Sequence, residues 1–507
     1  MDKNISNESK TYTDNKETKG VKTLLGTPKK AIITLAIPMI IAMAIQTIYN
    51  LVDAFWVAGL GADAIAATGF VFPFFFLIMA LSNGIGTGAG SAISRRIGAK
   101  QKDRASNVAS HALVLMVIFS IVLTIPLYFF AENIFAAMGA GDVLNLTVIY
   151  GQIIFAGVIF LFFQSVANSI LRGEGDAKRP MYAMVLSAIL NMILDPIFIF
   201  DFKVFDVQIG LNMGIAGAAY ATILSMVVSC VILLYWLLGK KDTYVDLNFK
   251  KFKFNLHILK EIFSIGLPAS LTQLSLSITQ MIMTFLISTL VGVYGVAVYS
   301  LGWRIVSFGM VPIMGIGTAV ISVVGASVGE KMYTKTKEAF YYSVKLALIF
   351  GIIVTCIAYV FAPEIAAVFT QAESSAYIQA DLISFLRIIC FIFPLIAFGM
   401  LSSSMFQGAG KGMPSVIITV LQSIVLSTIL SVVFVVYFGL NLEGFWFGII
   451  IADAIGAIIG MLWAGNYLNS LIEKSKTVFN LAKMSPIPSQ YMMTESSSKD
   501  NDLNLKK

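Results

Sequence analysis

Twelve separate runs of apolar residues, each long enough to cross a bilayer, dominate this 507-residue chain. A helix needs roughly 20 such residues to span a hydrocarbon core about 30 Å thick. Polar breaks divide the chain into candidate spans at about 31–57, 66–93, 107–130, 145–171, 180–201, 213–238, 262–290, 296–325, 339–362, 381–407, 414–437 and 444–467. Inside lipid there is no water for backbone N–H and C=O groups, so each run must satisfy its own hydrogen bonds as a helix. The expected fold is an all-α integral membrane protein with twelve transmembrane helices. Composition agrees: 58% of the residues are hydrophobic and 12% charged, against about 25% charged in a soluble domain.

A formal net charge of +7 would suit nucleic acid, but the basic residues sit in short loops and tails. No basic face interleaved with aromatics is present, so a nucleic-acid partner is excluded. All but four of the 35 Lys and Arg fall in the first tail, in loops at 95–104, 172–179, 239–260, 329–337 and 411, or in the last tail. Lys203 alone lies in a loop of the opposite side; Arg304, Lys345 and Arg387 lie within spans. Cytoplasmic loops carry the positive excess. Both termini are therefore expected in the cytoplasm, with the chain multi-pass in the plasma membrane.

Residues 1–25 and 471–507 are polar, and they read as disordered cytoplasmic tails without a further domain. The first apolar run is too long for the core of a cleavable signal and reads as an uncleaved anchor. Cys230, Cys356 and Cys390 are scattered through apolar runs, which supports neither a disulfide framework nor a metal site. His111 and His257 carry no ligand motif and read as structural.

An internal repeat organises the spans. AIPMIIAMAIQTIYNLVDAF resembles GLPASLTQLSLSITQMIMTF, with Pro38 matching Pro268. NGIGTGAGSAISRRIG (83–98) resembles MGIGTAVISVVGASVG (314–329), and LRGEGDAKRP (171–180) resembles FQGAGKGMP (406–414). Six spans per repeat is an even number, so the halves run parallel, related by an axis along the membrane normal. The expected architecture is two pseudo-symmetric six-helix bundles around a central cavity: an N-lobe over 26–239, a basic linker over 240–260 and a C-lobe over 261–470. GIGTG (84–88) could be taken for a phosphate loop, but it lies mid-helix and recurs in the repeat, so close helix packing explains it.

Acids embedded in lipid are costly, about 2.5–3.5 kcal/mol at the bilayer centre, and mark ion pathways. The first half holds two, Asp53 and Asp195. Gln46, Tyr49, Asn50 and Asp53 share one face of the first span by their three- and four-residue spacing. Asn191 and Asp195 stand one turn apart on the fifth span, Gln164 and Asn168 on the fourth, Ala218 and Thr222 on the sixth. Pro196 lacks an N–H and frees the Met192 carbonyl within that turn. A buried carboxyl can exchange a proton near ordinary pH or be held ionised by a bound cation. In the second half Met283 takes the place of Asp53, and Leu430 or its neighbour that of Asp195. That half reads as scaffold, with Arg304, Arg387 and Asp453 as a structural charge cluster.

Taken together, LVDAFWVAGLG (51–61), ANSILRGEGDAKRP (167–180) and NMILDPIFIF (191–200), in order on two parallel six-span repeats, resemble the multidrug and toxic compound extrusion (MATE) family. The pattern looks most like its DinF-like and archaeal branch, and it covers about 30–467. The resemblance implies that Asp53, Asn191, Asp195, Asn168 and Thr222, with Ala218 beside them, form a cation or proton site. It implies that Gln46, Tyr49 and Tyr150, with Asn50 and Gln164, line a polar cavity, and that the first helix bends at Pro38.

The implied activity is secondary-active efflux of small-molecule drugs or toxic metabolites, organic and cationic or amphipathic, by antiport with H⁺ or Na⁺. No cofactor is implied, no metal beyond Na⁺ at the acid pair, and no partner beyond substrate and membrane lipid; the chain is expected to be monomeric. Two rivals are weaker. A flippase for lipid-linked oligosaccharide must hold a pyrophosphate and would want embedded cations in both halves, which the first half lacks. The other is a non-transporting membrane receptor or a membrane-embedded enzyme; the enzyme would need a catalytic constellation such as HExxH or GxSxG, and none is present.

Overall fold

The computed structural model describes residues 18–204, 207–208, 210–239, 242–247, 252, 254–370 and 377–484. Most of both expected tails, and part of the 240–260 linker, lie outside the described residues.

Among the described residues, ten single helices are long and apolar enough to cross a membrane: α1 (Pro28–Ala58), α2 (Ala62–Gly98), α3 (Lys102–Phe129), α5 (Lys178–Ile199), α6 (Gly214–Gly239), α7 (Leu256–Leu290), α8 (Val293–Gly329), α9 (Tyr333–Val360), α11 (Gly412–Tyr437) and α12 (Asn441–Thr477). Two bent pairs complete the twelve, α4 (Gly141–Ala156 and Val158–Gly173) and α10 (Gln379–Ile389 and Ile392–Gly408). Between α5 and α6, Lys203–Val204 pairs antiparallel with Val207–Gln208.

The fourth and tenth spans read as continuous runs in the sequence, yet α4 turns by 42° and α10 by 50°. In α10 the cause is Pro394, which cannot donate to the carbonyl of Cys390 one turn earlier. That carbonyl accepts instead from the Phe393 N–H (3.3 Å) and from Thr355 Oγ1 on α9 (2.7 Å). At the α4 bend, by Gly157, Thr124 Oγ1 on α3 donates to the Phe155 carbonyl (3.0 Å) in the same way. Each bend is thus held by a threonine of the preceding helix.

Duplication also shows in the backbone. Left-handed conformations recur in pairs: Gly61 with Gly292, Lys100 with Lys331, and Gly175 with Gly410. The two lysines adopt the same φ of 58°, at the tight α2–α3 and α8–α9 turns.

Two expectations about the ends need correction. Residues Lys19–Leu25, assigned above to a disordered tail, form a short helix capped by Thr18, with Val21 and Leu24 buried. It packs closely enough that a Cβ at Gly20 would lie 2.8 Å from the Glu174 carbonyl oxygen. At the other end the helix that contains α12 runs from Asn441 past 471 to Met484, because helix propensity outlasts the apolar run. The described part of the linker is also anchored to the N-lobe. Tyr244 and Val245 N–H donate to Glu174 (3.0 and 2.8 Å), Asp246 N–H to Ser106 (3.0 Å), and Asn255 N–H to His111 Nε2 (2.9 Å). His111 therefore serves as a structural acceptor.

The halves meet through α2 against α7 and α1 against α8. The glycines of 84–90 permit this approach on two opposite faces of α2: Gly84 and Gly88 receive α7, Gly86 and Gly90 receive α4. Ser270 Oγ on α7 donates to the Ala80 carbonyl (2.9 Å), and Ser91 Oγ on α2 donates to the Gln407 carbonyl (2.5 Å). These contacts lie toward the end bearing the basic loops, called the basic end below. Toward the opposite end, Asn50, Leu51 and Phe55 on α1 and Met281 and Phe285 on α7 are exposed.

Candidate functional site

Asp195 sits on α5 one turn before the helix ends and is fully buried, at 0% exposure. It faces the half-buried Asp53 of α1, with Asn191 one turn earlier on its own helix. Neither Asp195 oxygen receives a hydrogen bond, and the reason is chemical. Two ionised carboxylates are acceptors only, so they can join only through a shared proton or a cation between them. Asn191 adds to the deficit: its Nδ2 donates to Thr222 Oγ1 on α6 (3.3 Å), while its Oδ1 is buried without a partner. The result is a pocket of oxygen atoms short of donors.

Tyr49 and Tyr150 both lie near the two acids. Six of the residues singled out in the sequence thus converge: Asp53, Asp195, Asn191, Thr222, Tyr49 and Tyr150, drawn from α1, α4, α5 and α6. A small apolar cluster of Val57, Ala64, Ala67, Ile199, Ile215 and Ala218, with Trp56 against Phe200, lies at the end where α1 and α5 finish. Ala218 belongs to that cluster and brings no polar side chain to the acids.

The others stand apart. Gln164 Nε2 donates to Ser229 Oγ (2.9 Å), which fastens α4 to α6 instead of lining the pocket. Asn168 is buried with an unpartnered Oδ1 and has no hydrogen bond to the acid pair. Gln46 is half-buried and Asn50 exposed. Pro38 is buried within an unbroken α1, where it costs the helix one hydrogen bond.

A family model described as MatE matches residues 38–197 and 268–433, one stretch in each half. The chain belongs to the MatE family. Among curated relatives, the multidrug export protein MepA of Staphylococcus aureus is 30% identical over 300 residues, 58% of this chain. That match spans 63% of the relative's length, so this chain covers less than two thirds of it. Solved MatE-type structures match more completely. An outward-facing multidrug resistance MATE family transporter is 45% identical over 90% of this chain and 100% of its own, at a TM-score of 0.87. A MOP superfamily transporter from Pyrococcus furiosus, also 45% identical, covers 90% and 99% at 0.86.

In the C-lobe of this MatE chain, the expected cluster of Arg304, Arg387 and Asp453 does not form. Arg304 and Arg387 are exposed, and Arg387 lies over the Tyr359 ring, 5.8 Å from its centroid. Asp453 is buried and is taken by Gln422, whose Nε2 donates to its Oδ1. Met283 is fully buried. Sequence reasoning missed Gln422, an amide in an otherwise apolar span and a signal of the same kind as Asn191.

Proposed function

We propose that this chain is a secondary-active exporter of organic cationic or amphipathic compounds, working by alternating access in antiport with H⁺ or Na⁺. The observation that carries the reading is the buried Asp195 facing Asp53 with no donor for either of its oxygens. A pair of acids so placed is unsatisfied when empty and satisfied by one small cation. Coupling then requires that the ion bind the two cavity shapes with different affinity.

In this reading substrate enters from the basic, cytoplasmic side between an N-lobe of 26–239 and a C-lobe of 261–470. The lobes then rock outward, and an ion entering the acid pair moves α1 about Pro38 and drives substrate out. The contacts at the basic end and the exposed apolar residues at the other support an outward-open resting shape. Relatives named as multidrug export proteins and multidrug resistance transporters support the substrate class.

Purified protein in liposomes, loaded with a cationic dye, tests this with a pH gradient in one arm and a Na⁺ gradient in the other. One gradient should drive efflux, and Asp53→Asn with Asp195→Asn should abolish the drive. Full ion-driven efflux from that double variant would overturn the assignment.

A further inference from the structure

The C-lobe contains a buried polar pair that the proposed mechanism does not use. Gln422 lies on α11 and Asp453 on α12, and the amide Nε2 donates to the carboxyl Oδ1. Asp453 is 8% exposed in the interior of a membrane-spanning helix.

The repeat gives this pair a counterpart. In the N-lobe Gly217 lets α6 press against the backbone of α5 at Phe198; in the C-lobe Gly448 lets α12 press against the backbone of α11 at Ser431. Five residues beyond each contact glycine stand Thr222 and Asp453. Each accepts a hydrogen bond from an amide of the preceding helix, Asn191 in one lobe and Gln422 in the other. The same helix crossing thus carries an amide-to-oxygen bond twice. In the N-lobe the acid, Asp195, is one turn along α5; in the C-lobe the acceptor is itself the acid.

Gln422 is held in place to make this contact. A Cβ at Gly399 of α10 would lie 3.1 Å from its Oε1, and one at Gly456 of α12 would lie 2.6 Å from it. Both positions being glycine leaves a slot that the amide fills. The surrounding turn, Val420–Leu426, is π-helical, a wider geometry that recurs at functional sites.

The neighbours decide which ligand the carboxyl can take. None of the ion pairs among the described residues includes Asp453. Of the charged groups in the spans packed on α12, Lys335, Lys337 and Glu338 lie in the first two turns of α9, engaged with Glu330, Asn469 and Lys29, and Asp381 lies in the first turn of α10; Lys345 of α9 is exposed, and the exposed Arg387 of α10 sits over Tyr359. Ionised, this carboxyl would lie in lipid-depth protein with no countercharge. A metal cation would need several oxygen ligands, whereas the carboxyl meets a single side-chain partner here, the Gln422 amide. A proton needs only the carboxyl.

We propose that Asp453, oriented by Gln422, is a proton-binding site in the C-lobe, separate from the Asp53–Asp195 pair. The carboxylate takes a proton on one oxygen, forming an O–H bond, and returns it to water as the site opens. Asp453 is the site and Gln422 its positioning residue.

Infrared difference spectroscopy of the purified full chain across a pH titration tests this without any transport assay. The carboxylic-acid C=O band should contain a component that is lost in Asp453→Asn and retained in the Asp53→Asn, Asp195→Asn double variant. Asp453→Glu should keep that component at a shifted frequency, and Gln422→Met should move its titration midpoint. A spectrum and titration of Asp453→Asn identical to those of the parent would overturn the proposal. Should Asp453→Asn not fold, an unmoved midpoint in Gln422→Met would overturn it instead. Because no ion gradient enters the measurement, a failure of H⁺ coupling in liposomes leaves its result intact.

Discussion

The Arg96 guanidinium, near the end of α2, lies 2.7 Å from the Glu261 carboxylate near the start of α7, an ion pair between the two lobes. Arg95 reaches the other oxygen of the same carboxylate at 3.1 Å and also donates to Ser91 Oγ at 2.6 Å. All three charged side chains are mostly buried, which limits screening by salt. Glu261 therefore closes the basic end with two charge-assisted bonds. Its replacement leaves two guanidiniums close together without their counterion. A hydrogen bond to a charged group contributes about 1.5–3 kcal/mol, so Glu261→Gln should shift the population toward a basic-end-open state by about tenfold or more. Distances between spin labels on α2 and α7 would report this as a longer component; an unchanged distribution would count against the latch.

Glycines at the same end give a second test. Gly98 of α2 abuts the Ala326 carbonyl of α8, and Gly329 of α8 abuts the Arg95 carbonyl of α2. The two contacts are reciprocal, as a repeat axis between the lobes requires. A methyl group at either position meets backbone, which cannot rotate away. Gly98→Ala and Gly329→Ala should each favour the basic-end-open state and lower the melting temperature of the closed form, with an effect of about 1–3 kcal/mol typical of overpacking. Labelling of a cysteine placed on the buried face of α2 should accelerate in both variants.

How far the sequence reached depends on the range of the interactions involved. Twelve spans and their pairing into repeats were legible because apolar run length and motif order are local. Asp53, Asn191, Asp195 and Thr222 were legible because a polar residue inside an apolar run has few explanations. The bends of α4 and α10 were not, since Thr124 and Thr355 act from a neighbouring helix. Nor was the pairing of Asp453: sequence chose arginines on charge, while the fold supplied the amide Gln422. Gln164 shows the converse, a residue with the right spacing whose partner Ser229 only tertiary packing could reveal.

Asp53 faces Asp195 without an intervening donor, which makes a prediction about stability opposite in sign to that about transport. Asn in place of Asp53 removes one of two like charges and supplies an N–H to the orphaned carboxyl. At alkaline pH, with no coupling cation present, Asp53→Asn should raise the melting temperature of the purified protein, by roughly 1 kcal/mol for one recovered hydrogen bond. The same variant should lose ion-driven efflux. A fall in melting temperature under those conditions would mean that the pair is already satisfied.

Glu174, at the end of α4, is 3% exposed and holds the linker through the N–H groups of Tyr244 and Val245. Burial pushes its carboxyl from an ordinary 4.5 up to about 7, with the two N–H bonds and Arg179 opposing and Asp176 adding to the rise. Between those two values the folded protein keeps a proton that the unfolded chain has released. The stabilisation is therefore fully present below about 4.5, is lost as the pH rises to about 7, and stays constant above. At about 1.4 kcal/mol for each unit, the loss amounts to about 3 kcal/mol across that window. Glu174→Gln cannot titrate, so its melting temperature should fall less steeply than that of the parent over the same pH range. Parallel curves for the two proteins would show that the Glu174 carboxyl keeps its ordinary titration when the linker is docked.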